Sequence, residues 1–301
     1  MSLPTENPYP NRNVLSNLRF EKSWKDIVVP EMREKYRATI KVQRAIAEQL
    51  LLVALTARNM YEKKKRPFHV SLIGCGQIGQ ILLTRLLEEG VRSDDIFVST
   101  RQHELLSKFD KRGVRCTNDN EMVCKRASVV FILCGAHHVN SISTQLRGLI
   151  RQNAVLVSSL ADFTREKIRT LFSTAKEQTI RTRIDIYRIS SPSSLISDTT
   201  STTTITQYTE LACRELCSDK AMGLVEIYDA MVNLGRKLGI PEAAKVARGA
   251  LFGDHGTFLY LDESEFQNYL CSEDAFDLLL LRFKRRFRNG DEDDAVLPLG
   301  V

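Results

Sequence analysis

Three glycines in the stretch LIGCGQIGQILL, residues 72–83, stand at the spacing G-x-G-x-x-G: Gly74, Gly76 and Gly79. That spacing suits a turn holding a diphosphate against bare main chain, provided a strand enters it and a helix leaves it. Both flanks have the required character. HVSLI (69–73) is apolar and strand-like, and GQILLTRLLEEG (79–90) is an amphipathic helix ending at a glycine. In such a turn Gly74 permits the reversal, Gly76 lets the diphosphate approach without meeting a Cβ, and Gly79 allows close helix packing. Cys75, Gln77 and Ile78 complete the cradle, where the helix amino terminus offers N–H groups and a partial positive charge. The competing reading is an ordinary strand-to-helix turn; the two flanks favour dinucleotide binding. Cys75 reads as a small side chain that fits the turn rather than as a reactive thiol.

The second strand, DIFVST, ends on Ser99, Thr100 and Arg101, about twenty residues past the glycines, where an acidic side chain would bond the ribose 2′-hydroxyl of NAD. Asp94 and Asp95 begin that strand, roughly 17 Å away by strand rise. Two hydroxyls and a guanidinium suit a 2′-phosphate, so NADP(H) is the expected cofactor, with a surface arginine as the alternative role for Arg101. Leu133 and Cys134 end the apolar run SVVFILC and are expected among the cofactor-binding residues.

His137 and His138 follow directly, and either can donate a proton near neutral pH. His137 is the weak catalytic candidate, set against a capping or surface role. Ser159 and Asp162 end the next strand, with Asp162 or Thr164 expected to cap the helix that follows. No Ser-His-Asp order, paired-carboxylate motif or metal signature is visible. Cys213 and Cys217 lie one helical turn apart without a second ligand pair, so no metal is expected.

These residues need a frame. Past Pro67, short apolar runs without alternation (HVSLI, DIFVST, GVRCT, SVVFILC, AVLVSSL, IDIYRI) alternate with amphipathic segments, which implies a parallel sheet covered on both faces. The expected architecture is α/β: a doubly wound, mostly parallel Rossmann sheet over 67–189. Before it, residues 1–66 form a helical extension, with apolar positions at Val42, Ile46, Leu50, Val53, Ala57 and Met60 making a helix or helical pair. A Ser/Thr-rich connection covers 190–206, and within it TTTITQ has the β-branched content of one more strand. Residues 207–301 read as a smaller all-helical domain and tail.

Composition bounds the partners. The chain has 301 residues, 43% of them hydrophobic, and no uninterrupted apolar run of membrane-spanning length, so no membrane partner is expected. The formal charge of +6 is spread out except in KKKR (63–66) and RFKRRFR (282–288); without a recognition motif these read as solvated faces, and no nucleic acid is expected. Phe283 and Phe287 in the second run are read as core rather than as a membrane-surface face. Seven cysteines without metal-like pairing, and an amino terminus without an apolar or Arg-rich leader, point to a reducing compartment: the cytoplasm first, the mitochondrion as alternative.

IGCGQIG, STR, GVRCTNDNEMV, ASVVFILCGAHH and AVLVSSLADFT, in this order and spacing, resemble the pyrroline-5-carboxylate reductase family over residues 68–188. A weaker similarity resumes from Thr202 through AMGLVEIYDAMVNLGRKLGIPEAAKVARGAL, which resembles the family's helical dimerisation domain. The resemblance implies a cofactor contact at Asn120, hydride transfer to a small cyclic imine or carbonyl substrate, and a homodimer. The chain departs from the family where substrate is held. Cys134, Gly135 and Ala136 replace Val-Lys-Pro, Ala161-Asp162 replaces Ala-Gly, Met-Pro-Asn-x-Pro is reduced to ISSPSS around Pro192, and the glycine-rich carboxylate-binding segments have no counterpart. Proline synthesis is therefore not expected. Two readings stand: an NADP(H)-dependent oxidoreductase, or an NADP(H)-binding regulatory or structural protein without turnover.

Overall fold

The computed structural model describes residues 30–101, 106–174, 178–182, 205–218, 223–254 and 256–287. Six strands, β1 (Val70–Ile73), β2 (Ile96–Ser99), β3 (Arg115–Thr117), β4 (Val129–Ile132), β5 (Val155–Ser158) and β6 (Thr179–Arg181), form one sheet in the order β3-β2-β1-β4-β5-β6. Every neighbouring pair is parallel. The order reverses between β1 and β4, which makes the crevice beyond their carboxyl ends the place where such sheets bind ligands.

The four central strands are buried on both faces. Their side chains alternate between two cores, as the period of a strand requires. Val70, Leu72, Val98, Val129, Phe131, Val155 and Val157 enter one; Ile73, Phe97, Val130, Ile132 and Leu156 enter the other. The second core is closed by α4 (Asn120–Lys125), α5 (Val139–Leu146) and α6 (Arg165–Phe172). The first is closed by α2 (Gln77–Glu88), the short α3 (Ser107–Asp110) and a long helix that precedes the sheet, α1 (Pro30–Lys63).

Helix α1 is one continuous element of 34 residues. The helical extension is more central than its place in the sequence suggests. From Ala45 to Tyr61 it is buried around most of its circumference, because it packs on α2 and also on the carboxyl-terminal helices α7 (Ile205–Leu216), α8 (Gly223–Lys237) and α9 (Ala243–Phe252). An all-round apolar helix is a buried helix. Two polar residues on this stretch reach other helices: Glu48 pairs with Arg85 of α2 at 3.0 Å, and the Gln49 amide donates to the Ala212 carbonyl.

Two further helices, α10 (Glu263–Leu270) and α11 (Glu273–Phe287), complete the helical part. Asp262 and Glu265 make a reciprocal capping box at the start of α10, a helix the sequence reading passed over. Buried Arg248 ties this region together, donating to the Phe258 carbonyl and the Glu263 carboxylate and lying 4.2 Å over the Phe266 ring.

One expectation about the connection needs correction. The segment TTTITQ does not supply a strand where it is described: Ile205, Thr206 and Gln207 open α7, because Tyr208, Ala212, Cys213 and Leu216 make a helical apolar stripe that is buried. The sixth strand is TIR at Thr179–Arg181, whereas IDIYRI at 184–189 lies outside the described residues, as do the loop around Pro192 and the side chains of Phe283 and Phe287.

Gly235 of α8 sits where α1, α8 and α9 converge: a Cβ there would lie 2.7 Å from the Met60 methyl and 2.8 Å from the Ala243 Cβ. Gly235→Val is expected to destabilise the fold by about 1–3 kcal/mol through overpacking, read as a lowered denaturant midpoint with an unchanged slope.

Candidate dinucleotide site

The glycine turn lies at the strand-to-helix junction β1–α2. Gly74 has φ +88°, its N–H donates to the Ser99 carbonyl at 2.7 Å, and a Cβ there would be 2.9 Å from the Cys134 nitrogen. Leu133 stitches the other side, its N–H donating to the Ile73 carbonyl. Leu133 and Cys134 are therefore brought against the turn. Gly76 is the N-cap of α2, and no side chain caps the helix. A Cβ at Gly76 would have no atom within 4 Å, so the glycine faces open space in front of the helix amino terminus formed by Gln77 and Ile78. A diphosphate fits there: the donors are main-chain N–H groups and the helix dipole, and the space a Cβ would fill is clear. Gly79 packs on the turn itself, its added Cβ lying 3.2 Å from both the Cys75 sulfur and the Gly74 oxygen. Cys75 is buried, and burial pushes its thiol up to about 12, so the helix amino terminus does not make it a nucleophile.

At the end of β2 the two hydroxyls differ. Ser99 is buried and donates to the Asn120 amide oxygen at 2.6 Å; the Asn120 nitrogen then donates to Gln145 of α5 at 2.8 Å. This chain of three polar groups runs from β2 to α5 and fixes Asn120 in one orientation. Gln145 was not legible as a site residue, since it is an exposed position of an ordinary amphipathic helix. Thr100 is half-buried at the mouth, with its N–H on the Thr117 carbonyl. Asp94 and Asp95 lie at the opposite end of β2, in a turn where Asp95 approaches the His69 ring at 3.3 Å. Among the described residues no acid stands at the carboxyl end of β2, where Ser99, Thr100 and Arg101 lie.

Arg101 is exposed, and its guanidinium donates to Nε2 of His138 at 2.6 Å. The His137 ring is exposed, leans over Gly135 and lies tilted at 53° against the His138 ring, with centroids 3.8 Å apart. Of the two histidines, His138 is the one the fold engages. Partial desolvation, then the charges of Arg101 and His137, hold it below the usual imidazole pKa, so it is neutral at pH 7. Burial pushes the Cys134 thiol up to about 11.

The remaining candidates take structural parts. Thr164, not Asp162, caps α6, accepting from the Lys167 N–H at 3.2 Å. The Ser159 N–H donates to the Ile132 carbonyl. Cys213 and Cys217 are buried in the helical core, and burial pushes Cys217 up to about 12. Among the described residues no group of three or more His, Cys, Asp or Glu side chains could hold a metal, and no helix is long and apolar enough to cross a membrane.

This geometry can be set beside known proteins. Residues 69–162 match the family described as NADP oxidoreductase coenzyme F420-dependent. The match runs from the start of β1 to just past β5, which includes the glycine turn and the loop bearing both histidines. A mouse protein (Mus musculus), NADP-dependent oxidoreductase domain-containing protein 1, is 28% identical over 105 residues, which are 35% of this chain and 29% of that protein. The chain thus matches less than a third of the relative's length. A solved pyrroline-5-carboxylate reductase from Coxiella burnetii is similar over 74% of this chain and 93% of its own, at 17% identity and a TM-score of 0.37.

The glycines differ in what they do for the fold. Gly74→Ala, at positive φ and against main chain, is expected to cost about 1–3 kcal/mol, whereas Gly76→Ala, facing open space, should leave the apoprotein within about 0.5 kcal/mol of wild type. Chemical denaturation of the two variants checks this.

Proposed function

We propose that this chain is an NADP(H)-dependent oxidoreductase that passes a hydride to a small cyclic imine or carbonyl compound. The observation that carries the reading is the clear space before Gly76, at an uncapped helix amino terminus, beside the end of β2, where the described residues Ser99, Thr100 and Arg101 include no acid. The family matched over the same residues is described by NADP, and so is the mouse relative. In this reading Gly74–Gly79 hold the diphosphate. Thr100, Arg101 and Asn120 hold the phosphorylated ribose, with Ser99 fixing Asn120 from behind. Leu133 and Cys134 flank the nicotinamide. The bound cofactor supplies the hydride. The protein supplies orientation, exclusion of water and a proton, for which His137 and His138 are the nearby groups.

A second reading has an observation of its own. At neutral pH the Cys134 thiol is held protonated and His138 is engaged by Arg101, while Gly135 and Ala136 bring no side chain able to hold a substrate. A binding protein without turnover would need nothing more than this edge offers.

Saturating NADPH, at about 100 times its dissociation constant, should raise stability by about 2.7 kcal/mol in either reading, and Gly76→Val should remove that gain. Arg101→Ala should weaken NADPH about tenfold or more without weakening NADH. Loss of NADPH absorbance with any member of an imine and ketone panel decides for the oxidoreductase; stabilisation without consumption across the panel decides for the second reading. Equal loss of NADPH and NADH binding in Arg101→Ala would refute the phosphate assignment.

A further inference from the structure

We propose that Arg101 and His138 form a bridge across the dinucleotide groove, that a dinucleotide must open this bridge to bind, and that His138 thereby sets affinity by competing for the guanidinium. The inference rests on the reading that this edge binds a dinucleotide. Arg101 follows β2 by two residues, and His138 lies in the turn after β4. In the sheet β1 stands between those strands, and Gly74, which opens the glycine turn, directly follows β1. The 2.6 Å contact therefore straddles the turn, joining the adenosine side of the groove to the nicotinamide side. A dinucleotide laid from β2 to β4 along the helix amino terminus crosses that line.

The chemistry of the contact gives it a direction. A guanidinium only donates, so Nε2 of His138 must be the accepting nitrogen of a neutral ring with its proton on Nδ1. Among the described residues the charged or titratable groups acting on this ring are Arg101 from the segment after β2 and His137 from its own turn. Protonation removes the Nε2 lone pair and sets two cations against one another, so the bridge is closed in the neutral state and opens in acid. When it opens, Arg101 becomes available to a 2′-phosphate. NADP(H) compensates for the broken contact, and NAD(H), without that phosphate, does not.

Calorimetric dissociation constants for NAD⁺ and NADP⁺ test this with wild-type, His138→Ala and Arg101→Ala proteins at pH 8, and for NAD⁺ from pH 8 down to 5.5. NAD⁺ is the probe for the pH series because it has no 2′-phosphate to titrate. His138→Ala should bind both dinucleotides about three- to tenfold more tightly at pH 8. Arg101→Ala should bind NAD⁺ more tightly by a similar factor but NADP⁺ more weakly, a crossover that a general structural defect would not produce. Wild-type affinity for NAD⁺ should rise as pH falls through the lowered pKa of His138, and the His138→Ala profile should be flat. Unchanged or weaker binding by His138→Ala, with NADP⁺ still bound by the wild type, overturns the bridge alone. Failure of the wild type to bind either dinucleotide overturns the proposed function and the bridge together.

Discussion

The main chain at Gly74 passes so close to the main chain at Cys134 that no side chain fits between them, and the site depends on that approach. Gly74 must adopt a positive φ to turn away from β1 while its N–H still reaches the Ser99 carbonyl, and the Leu133 N–H must still reach Ile73. Three strand ends are thereby fixed relative to one another. Only from that fixed junction do the two chains diverge, α2 to one face of the sheet and α5 to the other, opening the crevice between them. A phosphate site made of main-chain donors needs this rigidity, because its N–H groups cannot be re-aimed by a rotamer change.

Rigidity at the turn is in turn borrowed from α1. Helix α2 is anchored on its outer side by α1, through the Glu48–Arg85 pair and through Leu82, Leu83 and Leu86 in the shared core. Each fully buried leucine or methionine on such a face is worth about 1.5–3 kcal/mol, so Leu50, Leu51 and Met60 of α1 outweigh any single polar contact between these elements. The same helix packs on α7, α8 and α9, so the segment ahead of the sheet joins the sheet-bearing half to the helical half.

Much of this frame was legible. Continuous apolar runs gave five of the six strands within a residue or two, since a strand buried on both faces has no polar side to hide its length. The glycine turn was legible because each glycine has a separate steric reason. What failed did so where local preference and tertiary context disagree. β-branched TTTITQ favours a strand locally, but the apolar stripe from Tyr208 onward makes its last three residues the first turn of a helix. The centrality of α1 was hidden because an extension and a buried strut share the same amphipathic spacing; only its polar residues, Glu48 and Gln49, finding distant partners reveal the second contact face. At the mouth, Ser99, Thr100 and Arg101 follow one another at the carboxyl end of β2. Their surroundings separate them, because buried Ser99 is turned toward Asn120 whereas Thr100 and Arg101 lie past the last residue of β2. Gln145 and the engagement of His138 arise from contacts 25 and 37 residues apart, which no local pattern encodes.

The distribution of charge around the edge follows from desolvation. Close to the turn, where burial lifts the thiols of Cys75 and Cys134 well above their usual range, an ionised side chain would be costly, and the polar groups present are neutral: main-chain amides, the Ser99 hydroxyl and the Asn120 carboxamide. The formal positive charge is displaced to the exposed rim, at Arg101, where solvent keeps the guanidinium hydrated until an anion arrives. An inner wall of fixed dipoles and an outer cation divide the work. In the proposed function the dipoles would fix where a diphosphate rests with little reorganisation, and the rim cation would decide which of two nearly identical nucleotides gains an additional contact. The acidic pair Asp94–Asp95, placed at the far end of β2, keeps its negative charge a full strand length from that decision.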